Sequence, residues 1–145
     1  MRINLCVYPA QKIEGYVNIH PYLDGFVNIP YDHLDQICSD GEADEIVLNS
    51  VLNFIEVDQH HDFVGLVSRK LKHNGMISAS GLDSLTLCRA HTFSILGSKE
   101  LSKAIEDKKS LFDIKYINSL FYNSGLITEQ KKLINLDFVI IARRP

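Results

Sequence analysis

The side chains that could do chemistry are few and dispersed. Cys6 and Tyr8 end and follow a short apolar run, His20 ends a second run, Asn49, Ser50 and Asn53 lie at the end of a third, and Asp83 follows a fourth. His20 and Asp83 are the members able to act as acid or base. No nucleophile with a neighbouring base can be placed among them, and the plainer reading gives all of them to turns and helix caps. His60-His61, between Asp58 and Asp62, has the residue types of a metal site. Adjacent helical residues point in different directions, however, so capping and dipole compensation account better for this group. Asp32-His33 and Asp35 follow Pro30 and read as a solvated helix start.

The elements that must position these residues are arranged around the stretch from Glu45 to Gly81. Glu45–Asn49 reads as an apolar strand. A helix follows, with Asp58 as its N-cap and Phe63, Leu66, Val67 and Leu71 on one face. Arg69, Lys70, Lys72 and His73 crowd its last turn, where the helix dipole favours cations, and Asn74-Gly75 supplies the left-handed residue that ends it. Met76–Gly81 is the next strand. Consecutive apolar residues in both strands predict a parallel β-α-β unit covered on both faces.

Upstream, strands are predicted over residues 2–7, 15–20 and 26–29, the last two stopped by Pro21 and Pro30. Pro9–Glu14 is a connection, and Tyr31–Cys38 a short helix with Leu34 and Ile37 inward. Downstream, 82–96 reads as helical. Ser98 caps a short helix, and Ser110 with Asp113 has the spacing of a capping box before a helix that buries Tyr116, Ile117, Leu120 and Phe121. Strands 126–133 and 136–143, joined by a short turn, form an antiparallel hairpin. The predicted fold is a Rossmann-like open α/β sheet, mostly parallel with an antiparallel C-terminal hairpin strand, and with few helices in its N-terminal half.

The 145 residues suffice for one domain, with 46% apolar and 23% charged residues. A net charge of −3, without long runs of one sign, argues against non-specific nucleic-acid binding. No stretch has the length and apolarity of a membrane span, and the first residues lack the features of a signal peptide. Cys6, Cys38 and Cys88 are odd in number and far apart, which points to a reducing, cytoplasmic setting without disulfides. Tyr16, Tyr22 and Tyr31 fall where covering helices are scarce, so that face of the sheet is expected to associate with a second copy or with a larger assembly.

Several stretches in order resemble the class I S-adenosylmethionine-dependent methyltransferases, in particular a compact group of predicted methyltransferases. Ile3-Asn4-Leu5 resembles the first strand, and Lys12 to Ile19 the approach to the second. Ala43 to Val47 with Ser50-Val51-Leu52 is similar to the fourth strand and its exit. Leu71 to Ile77 is similar to the Leu-Lys-Pro-Gly-Gly turn into the fifth, Asp83 to an aspartate just beyond it, and Phe138 to Pro145 to the last strand. The resemblance implies a methyl transfer from S-adenosylmethionine, with Cys6, Tyr8, His20, Asn49 and Ser50 as the residues around the cofactor.

The departures fall at the site. That family has a glycine-rich loop after its first strand, because the backbone must approach the cofactor closely; here the loop reads Cys6-Val7-Tyr8-Pro9-Ala10. It has an acidic residue at the end of strand two for the ribose hydroxyls, whereas His20 stands here and a neutral imidazole accepts only one hydrogen bond. Leu52-Asn53-Phe54 replaces a frequent Leu-Glu-His. Scaffold residues are kept and site residues are changed. Three readings therefore stand: a methyltransferase, a non-catalytic module with the same fold, and a binder of another small nucleotide or metabolite.

Overall fold

A computed structural model describes all residues, Met1–Pro145. In chain order the elements are β1 (Arg2–Cys6), β2 (Val17–Ile19), β3 (Ala43–Asn49), α1 (His60–Lys70), β4 (Leu71–Leu82), α2 (Ser84–Thr92), α3 (Ser98–Ile105), α4 (Ile114–Asn123), β5 (Ile127–Ile134) and β6 (Asp137–Arg143). The strands form one six-stranded sheet in the order β2-β1-β3-β4-β6-β5. The first four strands pair in parallel, and β6 joins β4 and β5 antiparallel. This is the mixed α/β architecture predicted from the order of apolar runs.

Register aligns Ile3, Ile46, Ile77 and Ala142 in one row, and Leu5, Leu48, Ala79 and Ile140 in the next. All eight are buried. Phe63, Val64 and Val67 of α1 and Ile117, Leu120 and Phe121 of α4 complete the core against this face. Burial of side chains this size contributes about 1.5–3 kcal/mol each, which is why the apolar spacing of α1 is readable in the sequence.

The opposite face departs from expectation. In β3, Ala43, Ile46 and Leu48 are buried, while Glu45, Val47 and Asn49 remain half-exposed. Met76, Ser78 and Ser80 of β4 and Val139, Ile141 and Arg143 of β6 continue that half-exposed surface. The two strands are thus covered on one face, not both. Apolar runs on consecutive residues do not distinguish a second helical layer from a surface left open.

Other boundaries also differ. Residues 26–29 make a single bridge, Val27 to Ile19, because Pro30 cuts the run before a ladder can grow. Tyr31–Cys38 holds only the 3-10 turn Leu34–Gln36. Asp58 lies in a 3-10 turn ahead of α1 and provides no cap; Gln59 is the N-cap. Helix α1 stops at Lys70, and Lys72 to Gly75 form an irregularity within β4, with Asn74 at φ 62°. Gly75 packs there so tightly that a Cβ would lie 2.9 Å from the Lys72 carbonyl oxygen. Gly97, not Ser98, precedes α3. Asp113 itself caps α4 by accepting from the Tyr116 amide, and Ser110 donates instead to the Leu52 carbonyl.

Candidate functional site

The carboxyl ends of β1 and β3 lie side by side, with Cys6 opposite Asn49 in the register. Cys6 is buried, its thiol directed at the Ile19 carbonyl at 3.6 Å and its pKa raised by desolvation. It is a packed side chain. Asn49 donates to Asn4 Oδ1 at 2.8 Å and accepts from the Ser80 hydroxyl at 3.3 Å. Ser50 turns the chain sharply through a left-handed conformation, φ 62°.

Gln11 joins these groups, although the sequence alone places it only within the connection Pro9–Glu14. Its Oε1 accepts from the amides of Val7 at 2.8 Å and Tyr8 at 3.0 Å. Its Nε2 donates to Ser50 Oγ at 3.2 Å, and its carbonyl accepts from Asn4 Nδ2 at 2.8 Å. The loop amides after β1 are therefore satisfied from within the chain. Glutamine three residues after Tyr8, with proline between them at the start of a turn, is the signal that could have found it: it is one half of a capping box.

His20 is buried at the end of β2. Its Nδ1 accepts from the amides of Tyr22 at 3.2 Å and Leu23 at 3.1 Å, and Tyr22 meets the ring edge-on at 4.7 Å. Burial lowers its pKa. The result is a neutral imidazole whose acceptor nitrogen is committed to its own turn. Tyr8 extends outward, edge-on to Phe54 at 6.0 Å, and its hydroxyl accepts from Lys108 Nζ at 3.4 Å. Of the sequence-predicted residues, Cys6 and Asn49 lie opposite one another on β1 and β3 and Ser50 is bonded to Gln11, while Tyr8 and His20 border a groove on the helical side.

That groove has a volume of about 1100 Å³ and runs between α1 and the segment 20–35. Tyr8, Tyr22, Tyr31 and Phe54 give it aromatic walls, and Asp32, Asp62, Asp107, Arg69 and Lys109 are among its charged lining. Tyr22 is 81% exposed, whereas Tyr31 is anchored by a 2.6 Å hydrogen bond from its hydroxyl to the Cys6 carbonyl.

The remaining chemistry-bearing side chains hold the scaffold. Asp83 is buried. Its Oδ2 accepts from the Thr86 amide and hydroxyl at 2.9 and 2.7 Å, and its Oδ1 from the Ile114 amide at 2.8 Å. Asn53 accepts from the Leu82 amide at 2.9 Å and donates to the Ser110 carbonyl at 3.2 Å. His60, which in the sequence stands out only as half of a polar pair, is fully buried. Its Nε2 lies 2.9 Å from the Leu52 carbonyl and 3.1 Å from that of Ile55, so Nε2 carries the proton. Ser110 Oγ, 3.2 Å away, donates to the Leu52 carbonyl. A protonated Nε2 has no lone pair for the serine proton, so the pair is not an activated nucleophile. His61 is exposed to solvent. No group of three or more His, Cys, Asp or Glu side chains is placed to hold a metal ion.

No protein-family model and no curated protein sequence matches the chain. Solved structures do. An S-adenosylmethionine-dependent methyltransferase from Methanosarcina mazei superposes with a TM-score of 0.71 at 16% identity, covering 99% of this chain and 92% of that one. One from Archaeoglobus fulgidus gives 0.69 at 12%, covering 98% and 85%. The 1,6-didemethyltoxoflavin-N1-methyltransferase of Burkholderia thailandensis, solved with 1,6-didemethyltoxoflavin and S-adenosylhomocysteine, gives 0.66 at 12%, covering 98% and 70%. The chain therefore has the fold of the S-adenosylmethionine-dependent methyltransferases. No helix is long and apolar enough to cross a membrane.

Proposed function

We propose that this chain, acting as one unit over residues 1–145, is a methyltransferase-fold binding module with an altered cofactor region. Gln11 carries the reading. In the family that the sequence resembles, the loop after strand one approaches the cofactor with bare backbone. Here the Val7 and Tyr8 amides are already bonded to the Gln11 carboxamide, which also reaches Ser50. His20 has no acceptor left for a ribose hydroxyl. Around Cys6, Tyr8, His20, Asn49 and Ser50 the groups thus fit S-adenosylmethionine poorly, and no methyl-transfer step is assigned to them. Cys6, Cys38 and Cys88 are all unpaired thiols, consistent with a reducing cytoplasm.

Calorimetric titration with S-adenosylmethionine and S-adenosylhomocysteine tests this. The expected outcome is no heat of binding up to millimolar ligand. Micromolar affinity, about 8 kcal/mol, would overturn the reading and restore a methyltransferase with an unknown acceptor.

The groove supports a second reading, a binder of a different small nucleotide or metabolite. It lies beside the carboxyl ends of β1 and β2, where open α/β sheets take ligands, and its aromatic walls suit a planar group. A thermal-shift series with nucleotides separates the two: stabilisation by one of them, abolished by Phe54→Ala, would favour the ligand binder.

A further inference from the structure

The uncovered face of the sheet has an order of charges that matches its own reverse. Across its amino-terminal rim the register runs Arg2, Glu45, Met76, Arg143 from β1 through β3 and β4 to β6. In β5 the register partner of Arg143 is Ile127, and Glu129, set off by a bulge, places its carboxylate 2.7 Å from Arg143 Nε. From β3 through β4 to β6 the row therefore reads minus, neutral, plus. Read backwards it is plus, neutral, minus, so Glu45 and Arg143 each meet the opposite charge.

The rows behind it are small and apolar. Val47, Ser78 and Ile141 form the next, and Asn49, Ser80 and Val139 the one after. All six are half-exposed. Residues 8–16 cover the face over β1 and reach the near edge of β3: Gln11 and Asn18 bond Asn4, and Tyr16 donates to Glu45 at 2.6 Å. No helix lies over β3, β4 and β6 on this side, although parallel strands are ordinarily covered on both faces.

We propose that this face packs against the same face of a second copy, about a two-fold axis parallel to the strands and passing over β4. That operation reverses the strand order and keeps the position along each strand. It places Glu45 opposite Arg143, Val47 opposite Ile141, and Met76 opposite itself. Ser78 and Ser80 lie on the axis, where small side chains let the sheets reach a separation of about 10 Å. The three open strands at about 4.8 Å by seven residues at about 3.3 Å give on the order of 330 Å² in projection. This is below the ~800 Å² per partner of a standard interface, so the dimer belongs to the small, reversible class and is read at tens of micromolar. The interface lies on the side of the sheet away from the groove, so it stands whatever that groove binds.

Sedimentation equilibrium of the intact protein at tens of micromolar reads the mass directly. The expected value is twice the 16.4 kDa of the chain; a mass of one chain would overturn the proposal. Glu45→Arg alone sets two like-charge contacts across the axis, as does Arg143→Glu alone, and each variant should dissociate at least tenfold more readily. Mixing the two variants restores opposite charges at every position, so the mixture should return to the dimer mass. A folding defect in either variant would not be cured by mixing. Wild-type dimers that both substitutions leave unchanged would place the interface elsewhere and defeat the proposal. Met76→Cys, in a Cys88→Ser background, should give a covalent dimer with a short bis-maleimide cross-linker, because only a residue at the axis meets its own copy across sheets too far apart for a direct disulfide.

Discussion

The carboxamide oxygen of Gln11 lies 2.8 Å from the backbone nitrogen of Val7, bridging the loop after the first strand where the resembled family leaves backbone bare. The same oxygen accepts from Tyr8. Gln11→Ala strands both amides in a partly buried loop and should cost about 1–2 kcal/mol, a fall in Tm of roughly 3–8 °C. Gln11→Glu keeps the accepting oxygen and should lose much less. Thermal unfolding followed by circular dichroism distinguishes the two; equal losses would mean that the loop is shaped by something other than these bonds.

His20 makes stability depend on pH. Burial holds its folded pKa below the ordinary 6.5, and protonation of Nδ1 would break its bonds from the Tyr22 and Leu23 amides. Between the folded value and 6.5 the unfolded chain binds the extra proton, so stability rises with pH there. The contribution is complete above pH 6.5 and is lost as pH falls below it. Urea unfolding at pH 7.5 and 5.5 should show the gap between wild type and His20→Asn narrowing at the lower pH. Parallel profiles would remove His20 as the origin of the slope.

Lys70 is buried at 2% exposure, with its amine hydrogen-bonded to Asp35 and Asp40. Burial pulls its pKa down, but the two carboxylates outweigh this and hold it above the ordinary lysine value. The aspartates are 73% and 60% exposed. The consequences of removal are therefore unequal. Lys70→Met leaves two carboxylates that water can solvate and should be nearly neutral. Asp35→Asn with Asp40→Asn leaves a buried ammonium without a counter-charge and should cost about 3–5 kcal/mol. Chemical denaturation midpoints decide; the reverse order would refute the assignment.

Two glycines should respond oppositely to alanine. A Cβ on Gly81 would run into Asn53 Oδ1, the acceptor for the Leu82 amide, and lie 3.1 Å from the Phe138 ring. Gly81→Ala should destabilise by about 1–3 kcal/mol. At Gly65, inside α1, a Cβ would meet nothing within 4 Å. Gly65→Ala should stabilise by about 0.5–1 kcal/mol through helix propensity. Paired melting curves of the single variants test both signs.

What the sequence determined by itself is the part of the fold written in local physics. Helix α1 follows from Phe63, Leu66 and Val67 at helical spacing, and the β5–β6 hairpin from a short turn at Asn135, φ 55°, between two strand-like runs. Side-chain period and turn chemistry act within a few residues, so the elements and the fold class were legible. The tertiary structure alone decided which runs found partners. Val27 bridges Ile19 but extends no ladder, and Val47 and Ile141, apolar like their buried neighbours, face an open surface. The site was the least legible part. Gln11 and Ser50 are 39 positions apart, as Glu45 and Arg143 are far apart in the chain. Hydrogen bonds and charge rows depend on which strands lie side by side, and no local pattern encodes that. The strand order decided both, because a sheet, parallel or antiparallel, sets distant residues and the loops that leave them at the same height.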